Sequence, residues 1–514
     1  MGGSLNRIGG LGRRCWLVSL LCLVSACGKS YQPPQGEVTG RPSAPLGRVI
    51  DTNVLLPHLV VDARGGRGVT LEMTLRIDGI GDGRHEARYT IGKATAAGGN
   101  AQIEDLSNGK TIVTESAGSF QTGRIGPLRV GNTSFELLLQ GIASDGGWNL
   151  QGSSWESQSG LEGTFTGWRR HRFLVTSSDF AFAGSVALIE LRRGVEIAVS
   201  ENLSMASADP YLRQTGGALF VINRLTFDNL QRLDPESNFA TSWQAGVGSG
   251  SNPHDALWID RDRVYVSRYE PPFDDLLVLD PHGGRSVSTI PLDALADNGD
   301  ATPRADQLCA VGDTVFVGLQ NIDRSFTRYG SAKLAVVDSR RDALEQAITL
   351  PGKNPGALRA VTGDDGRPRV YVALAGIFPG LLPQELSGGV AVVDVNNRSF
   401  ERWALDDDVA GGNIAGLAVH SSRLAYATIS TASYQQRVIA FDPQTNTVLR
   451  TLSSSNEFVP ELEIDSAGVL AVPDRSFERP QVCLYAVPAA GQDVEARLGC
   501  ARLNAPPFAI EPLD

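Results

Sequence analysis

The stretch that decides the fold is NPHDALWIDRDRVYVSRYEPPFDDLLVLDPHGGRSVSTIPL, residues 252–292. It contains four short runs rich in β-branched, aromatic and leucine residues, separated by turns of Gly, Pro, Asp and Asn, which is typical of four successive strands. The runs are Asp255–Ile259, Arg263–Ser267, Asp275–Leu279 and Ser286–Leu292. One four-stranded sheet cannot bury both of its faces alone, so the pattern requires further copies of the same unit.

Copies of this unit occur along the second half of the chain. The second run recurs at 218–222, 314–318, 369–373, 423–427 and 468–472. The third run also recurs, and its copies end in Asp234, Asp280, Asp338, Asp394 and Asp442. An aspartate at this position can accept a hydrogen bond from the backbone two residues on and start a turn. Four strands in every 46 to 58 residues indicate the blades of a β-propeller.

The two ends of the repeat region complete each other. Residues 173–200 supply strands two, three and four of a blade but no first strand, and Pro506–Leu513 supplies a first strand alone. Joined, they make a seventh blade and close the ring, which leaves no open sheet edge. We therefore predict an all-β chain: a seven-bladed β-propeller with a small N-terminal antiparallel β barrel or sandwich.

The repeat resembles the YVTN-type seven-bladed propellers, which are related in architecture to surface-layer and lactonase-like propellers. The matching residues are the Asn-Pro that opens the inner strand, at 252–253 and 354–355, and the Tyr-Val of the second strand, at 265–266 and 371–372. The resemblance covers residues 173–514 and implies the fold. It does not imply one function, because propellers serve in catalysis, in binding and as scaffolds.

The N-terminus has the parts of a secretory signal. Arg7, Arg13 and Arg14 precede a short apolar run that ends in Val-Ser-Ala-Cys at 24–27, which resembles the lipobox of bacterial lipoproteins. This resemblance implies that Cys27 carries the lipid, palmitate included, and anchors the chain to the membrane. The alternative is an ordinary cleavable signal with a chance cysteine. The absence of an aspartate after Cys27 favours the outer membrane, with the periplasmic or surface side left open.

Four segments follow from these patterns. They are a signal peptide at 1–26, a Pro-rich tether at 27–45, an antiparallel β domain at 46–170 and the propeller at 171–514. The β domain contains strand-like runs separated by short Gly, Asn and Asp turns. A packed interior is favoured there over a ligand cavity, because barrels this small are usually filled by side chains.

Charge and cysteine content restrict the class of partner. The formal net charge is −11, and loss of the three signal arginines makes the mature body still more acidic, which argues against nucleic acid. Cys483 and Cys500 fall on predicted neighbouring strands, where they form either a disulfide or two buried thiols. Cys309 is expected to be an inert core residue. No metal-binding spacing such as CxxC or HExxH is present.

Each predicted loop between strands two and three carries an aromatic side chain. These are Phe180 or Phe182, Phe227, Phe273, Phe326, Phe378, Tyr434 and Phe477, with Arg268, Arg324, Arg328, Arg475 and Arg479 nearby. One interpretation is an aromatic rim that grips a partner protein or a glycan, because aromatics with arginine are typical of interface hot spots. The other is that each aromatic packs on the neighbouring blade and holds its own loop.

Acidic residues begin several inner strands. They are Asp209, Asp255, Asp306 and Glu461, with His254 beside the second of them. They could bind Ca²⁺, which prefers oxygen ligands, or accept backbone N–H bonds; no other cofactor is expected. The leading hypothesis is a non-enzymatic, lipid-anchored envelope protein whose loop face binds a protein or polysaccharide. The alternative is a hydrolase for a small ester or lactone, with Asp255, His254 and Glu461 near the axis, although no nucleophile motif is evident.

Overall fold

The computed structural model of the chain describes residues 48–513, except for 61–66, 79–82, 97–107, 117–118, 131–132, 145–146, 157–158, 298–300, 460 and 489–493. The predicted signal peptide, Cys27 and the Pro-rich tether lie outside the described residues. Within the described part, no helix has the length and apolar character needed to cross a bilayer.

The first part of the described chain is an antiparallel barrel. Its strands are β1 (Arg48–Val60), β2 (Arg67–Asp78), β3 (Gly83–Ala96), β4 (Asn108–Ser116), β5 (Ser119–Thr122), β6 (Ile125–Val130), β7 (Thr133–Ser144), β8 (Gly147–Glu156) and β9 (Ser159–Ser178). β5 and β6 both pair with β7, so together they occupy one place in the sheet. β1 pairs with β9, with Val49 opposite Arg170, and this pairing closes the sheet.

Apolar side chains point into the barrel at every second position of its strands. In β4 the burial alternates strictly along the C-terminal half of the strand, as expected for a sheet with one dry and one wet face. Val54, Leu71, Val113 and Leu137 belong to one continuous cluster of buried residues inside the barrel. The barrel therefore has a hydrophobic core of its own, separate from the cores of the propeller.

The rest of the chain is built from short strands and three short helical segments. The strands are β10 (Gly184–Arg192), β11 (Glu196–Ala206), β12 (Pro210–Thr215), β13 (Ala218–Asn223), β14 (Asn229–Asp234), β15 (Ala240–Gly246), β16 (Pro253–Asp260), β17 (Arg263–Arg268), β18 (Asp275–Leu279), β19 (Ser286–Pro291), β20 (Ala301–Thr302), β21 (Ala305–Val311), β22 (Thr314–Leu319), β23 (Ile322–Asp323), β24 (Lys333–Asp338), β25 (Ala343–Thr349), β26 (Pro355–Thr362), β27 (Pro368–Leu374), β28 (Gly389–Asp394), β29 (Ser399–Asp406), β30 (Asn413–Val419), β31 (Ala425–Ser430), β32 (Gln436–Asp442), β33 (Thr447–Ser455), β34 (Glu463–Ile464), β35 (Val469–Asp474), β36 (Gln481–Ala486), β37 (Ala496–Arg502) and β38 (Pro507–Pro512). The helical segments are Pro235–Ser237, Asp293–Leu295 and α1 (Asp407–Ala410).

These strands form a β-propeller. Six separate four-stranded antiparallel sheets are the blades 2 to 7: β12–β15, β16–β19, then β21, β22, β24 and β25, then β26–β29, β30–β33 and β34–β37. β20 and β23 make a small two-stranded ribbon. The first strand of each blade lies innermost, and apolar side chains between neighbouring blades form the core clusters.

A seventh set of four strands lies within the large sheet that also contains the barrel. It has the order β38, β9, β10, β11, and we refer to it as blade 1. The inner strand β38 comes from the C-terminal end of the chain, and Ile510 is opposite Val175 of β9. β38 also contacts β12 of blade 2 and β34 of blade 7. The C-terminal strand therefore joins the first and last parts of the propeller.

The strand β9 belongs to both parts of the molecule. Its N-terminal half pairs with β1 and β8 in the barrel, and its C-terminal half pairs with β10 and β38. Two contacts reinforce this junction: Arg88 of the barrel forms an ion pair with Glu236 at 2.5 Å, and Nδ1 of His171 lies 2.5 Å from the carboxylate of Asp465. Glu236 and Asp465 lie in tight turns at one end of the blades. The barrel therefore contacts turns on the face of the propeller that is opposite the long loops.

Two of the cysteines are joined, and a third is buried. Cys483 of β36 lies directly opposite Cys500 of β37, and the two form a disulfide. Cys309 is a free thiol in the interior. Burial raises the pKa of this thiol to about 12, so Cys309 stays protonated at physiological pH and is a poor nucleophile.

Candidate functional site

The long loops lie together on one face of the propeller, which we call the loop face. It carries the connections between strands two and three and the links between blades. Five aromatic side chains in the described part of the chain are more than 40% exposed, and all five lie in loops of this face: Phe182 (85%), Phe227 (49%), Tyr434 (43%), Phe458 (41%) and Phe477 (49%). We call them the exposed loop aromatics. Apolar area of this kind, when it is concentrated on one face, marks an interaction surface.

The other predicted rim aromatics fold down onto the protein. Phe273 lies 4.3 Å below the guanidinium of Arg268, and Phe326 lies 4.0 Å from that of Arg304. Phe378 packs edge-on against Phe458, with 6.2 Å between ring centroids. These half-buried rings hold their own loops, as the second interpretation of the sequence expects. The predicted rim is thus divided between rings that pack against the protein and stabilise loops, and rings that remain exposed to solvent.

The predicted rim arginines also fall into two environments. Arg324 and Arg479 are exposed at the edge of the loop face. Arg268 is buried and donates to both carboxylate oxygens of Asp275, at 2.7 and 2.5 Å. Arg475 is buried as well, and it lies over the rings of Phe180 and Phe508.

Two of the predicted acids lie at the mouth of the funnel, and each has a basic partner. Asp209 accepts a hydrogen bond from Arg224 at 2.7 Å. Asp306 lies 2.8 Å from Nδ1 of His254, although 52 residues separate the two in the sequence. The Nε2 atom of His254 is 3.4 Å from the side-chain amide of Asn252. Asp306 therefore orients the imidazole through Nδ1, while Nε2 is in only long contact with Asn252.

The predicted acid Asp255 lies deeper and is fully buried. Its carboxylate accepts the backbone N–H groups of Ala256 at 2.8 Å and Leu308 at 2.7 Å. The second bond crosses from the inner strand of blade 3 to that of blade 4. Arg213 approaches the same carboxylate at 3.4 Å. Asp255 thus connects neighbouring inner strands, which is the capping role considered from the sequence.

Glu461 joins three parts of the ring. One carboxylate oxygen accepts the hydroxyl of Tyr211 in blade 2 at 2.5 Å, and the other accepts the N–H of Ile510 in the closing strand at 3.1 Å. The guanidinium of Arg359 in blade 5 lies 4.0 Å away. Glu461 therefore contributes to closing the ring.

Four further charged residues at the axis were not identified from the sequence. They are Arg213, Arg359, Glu463 and Glu511, and together with Asp255 and Glu461 we call them the axial cluster. Arg359 forms an ion pair with Glu463, and Arg213 lies 3.9 Å from Glu511. One signal could have revealed Glu463: it is two residues after Glu461, and alternate residues of a strand point to the same side.

The axial cluster contains four carboxyl groups and only two guanidinium groups, and burial, reinforced by neighbouring carboxylates, raises the carboxyl pKa values. Burial, followed by the charge of the neighbouring Glu463, raises the pKa of Glu511 well above its ordinary range. Burial raises the pKa of Glu463 to about 7. The positive charge of Arg359 opposes this shift, and the negative charge of Glu461 adds to it. Some of these carboxyl groups therefore retain protons near neutral pH.

The carboxylates predicted as calcium ligands each have partners within the protein. Arg224, His254, Arg213 and Tyr211 contact Asp209, Asp306, Asp255 and Glu461 respectively. Among the described residues, the three acids close enough to share one ion are Asp406, Asp407 and Asp408, at the start of α1. They lie away from the axis, and Asp406 already caps the helix by accepting the N–H of Asp408.

No protein-family model matches the chain, and no curated protein matches it in sequence. Among solved structures it is similar to the β-propeller domain of Myceliophteria thermophila Cps50 (Swd1), with 12% identity over 61% of this chain and 95% of that one and a TM-score of 0.41. A protein from Lactobacillus plantarum matches with 13% identity over 67% and 100%, with a TM-score of 0.45. The dihydro-heme d1 dehydrogenase NirN, in complex with DHE, matches with 16% identity over 66% and 74%, with a TM-score of 0.42. At these identities the likeness concerns the fold alone, and that fold is the β-propeller.

Proposed function

We propose that the protein is a non-enzymatic, lipid-anchored component of a bacterial envelope that binds a partner protein on its loop face. The observation that carries this proposal is the placement of all five exposed loop aromatics on that one face. Exposed phenylalanine is costly in water, and buried aromatics supply much of the binding free energy of protein interfaces. The barrel contacts turns on the opposite face of the propeller, so it leaves the loop face free.

The chemistry of the exposed loop aromatics favours a protein over a polysaccharide. Four of the five are phenylalanine, which has neither a hydrogen-bond donor nor an acceptor. A polysaccharide presents many hydroxyl groups that need such partners, whereas a protein surface can bury phenylalanine against aliphatic side chains. Arg324 and Arg479 are exposed on the same face, and arginine is enriched with aromatics at protein interfaces.

The ester or lactone hydrolase is the weaker alternative. It would require a nucleophile or an activated water beside His254, which Asp306 orients through Nδ1, and the sequence contains no nucleophile motif. Asp255 is fully buried and accepts two backbone N–H bonds, so its carboxylate is directed at the scaffold.

We expect the triple variant Phe227→Ser, Tyr434→Ser, Phe477→Ser to lose its partner. Each replacement removes an exposed aromatic from the loop face without opening a core cavity. If these rings are hot spots, each contributes about 1–2 kcal/mol of binding free energy, so the triple variant should bind at least about a hundredfold more weakly. The measurement is cross-linking in intact envelopes with mass spectrometry, followed by titration of the purified partner.

The matched control replaces three exposed apolar residues of the barrel, Leu55, Ile112 and Ile142, which are 47%, 39% and 63% exposed. This variant should capture the same partner as the wild type. Capture of the same protein by both triple variants would refute the loop-face interface. A third outcome is recovery of a polysaccharide that is lost only in the loop-face variant. It would support the loop face as the binding surface and would show that the partner is a polysaccharide and not a protein.

A further inference from the structure

Three arginines that lie over aromatic rings near the funnel mouth can be compared; a fourth, Arg224, lies over Tyr211 and Phe508 and is bound to Asp209. In two of the three the arginine is fully paired. Arg268, which covers Phe273, is bound to the carboxylate of Asp275. Arg304 lies over Phe326 and contacts Glu270 at 2.8 Å, and it also donates to two backbone carbonyl groups. These two arginines are structural, because each has a counter-charge and satisfied N–H groups.

The third arginine has no such partners. Arg475 lies 4.2 Å from the ring centroid of Phe180 and 4.9 Å from that of Phe508, and only 9% of the residue is exposed. Its guanidinium makes neither a hydrogen bond nor an ion pair with any residue that the structure describes. Its nitrogen atoms are nevertheless not sealed from solvent, since none is among the fully enclosed unpaired atoms.

A buried guanidinium without a direct ion pair or hydrogen bond is unfavourable. Taking a charge out of water costs several kcal/mol unless hydrogen bonds and an opposite charge compensate for it. The loss of hydration lowers the pKa of Arg475 to about 10. The same aromatic setting holds Arg304 with all of its partners present, so the rings alone do not explain why Arg475 lacks them. An anion from outside the chain would supply what is missing.

We propose that Arg475 is the centre of a binding site for a carboxylate group at the funnel mouth. The rings of Phe180 and Phe508 lie against the guanidinium and leave its N–H groups as the accessible part. A planar carboxylate matches this fork by accepting two parallel hydrogen bonds. The neighbouring loop residue Phe477 is half exposed, so the site opens onto the loop face.

The local charge favours a monoanion over phosphate. A second cation, Arg224, lies close by. Its guanidinium is 5.5 Å from the ring of Phe508, which Arg475 also contacts. Asp209 already neutralises Arg224 at 2.7 Å. Asp209 and Glu457 both act on Arg475 as negative charges. The two guanidinium groups and the two carboxylates therefore balance in number, although neither carboxylate pairs directly with Arg475. A dianion would be repelled by these carboxylates more strongly than a monoanion.

The carboxylate has two sources. One is a free small carboxylate, which would make the funnel mouth a ligand site in its own right. The other is an aspartate or glutamate side chain of the partner, in which case the inference rests on the proposed function and adds an acidic anchor to the description of that partner. The binding chemistry at Arg475 is the same for both.

The test is a thermal-unfolding titration of the mature protein with acetate, N-acetylglutamate and inorganic phosphate, each against sodium chloride at equal ionic strength. We expect the two carboxylates to raise the melting temperature of the wild type to a plateau, and Arg475→Met to abolish this response. We also expect Arg475→Met to be more stable than the wild type without any carboxylate, since it removes a buried charge that has no direct ion pair or hydrogen bond. Arg304→Met is the matched control, and it should be destabilised because Arg304 is paired.

The outcomes separate the possibilities. A destabilised Arg475→Met, or a wild type that responds equally to chloride and carboxylate, would overturn the site. A stronger response to phosphate would overturn the carboxylate assignment. If the carboxylates bind and Arg475→Met also loses partner capture, the partner supplies the group; if capture is unchanged, a free small carboxylate is the ligand. The titration needs no partner, so its failure is distinct from failure of the proposed function.

Discussion

Replacing Arg359 by methionine is expected to lower the free energy of unfolding by about 3–5 kcal/mol at neutral pH, because it leaves buried carboxylates without their counter-charge. Arg359 forms an ion pair with Glu463 and lies 4.0 Å from Glu461. Without it, Arg213 is the single remaining cation of the axial cluster. Methionine fills a similar volume, so the effect measures charge more than packing. Urea unfolding followed by tryptophan fluorescence would give the free-energy difference.

Two controls make this prediction specific. Adding Glu463→Gln to the Arg359→Met variant should recover a large part of the loss, because the worst uncompensated carboxylate is then neutral. Arg341 is 65% exposed and forms surface ion pairs with Asp338 and Glu345, so Arg341→Met should change stability little. If Arg359→Met is no more damaging than Arg341→Met, the axial cluster does not hold the ring together.

Glu511→Gln is expected to stabilise the protein above neutral pH and to leave its stability near pH 5 unchanged. Glutamine imitates the protonated carboxyl group, which is the form that burial favours. The pKa of Glu511 is raised well above its ordinary range, first by burial and then by the charge of Glu463. A carboxyl group with a raised pKa in the folded state contributes stability below its unfolded pKa, and that contribution is lost as the pH rises through the folded pKa.

The pH window follows from the same pKa shifts. The pKa of Glu463 is raised from 4.5 to about 7, so the wild type should lose stability between those pH values, by roughly 3 kcal/mol from this group. Deprotonation of Glu511 continues the loss at higher pH. Melting temperatures from pH 4.5 to 9 would record the fall, which Glu511→Gln should flatten. The exposed Glu478→Gln variant is the control, and identical pH profiles for the two variants would contradict this account.

The middle strands of blade 3 could be predicted closely from sequence. In blade 3, the predicted strands at 263–267 and 275–279 correspond to Arg263–Arg268 and Asp275–Leu279. These strands are packed between neighbouring blades, so their apolar side chains leave a strong pattern. The inner strand agrees less well, because the pairing shifts register between Pro253 and Ala256. A bulge of this kind changes which side chains face the axis, and the sequence alone does not locate it.

The site was harder to predict than the fold, for two physical reasons. The axial cluster gathers residues from five blades, and contacts across a ring have no local spacing: Tyr211 and Glu461 are 250 residues apart. The division of the rim aromatics depends on side-chain packing within the loops, since the same loop position carries the half-buried Phe326 and the exposed Phe477. The predicted lipid anchor at Cys27 and the predicted envelope location stay predictions.

The shared strand β9 also has a consequence for the order in which the chain folds. Its partner β38 follows it by more than 300 residues, as the bond from Ala509 to Thr176 across 333 residues shows. The barrel contacts are far more local, so we expect the barrel to form early and to hold β9, β10 and β11 ready as a template. During synthesis, the inner edge of this template stays open until the last strand arrives. The barrel would then act as a nucleus that protects the unfinished ring from wrong strand pairing.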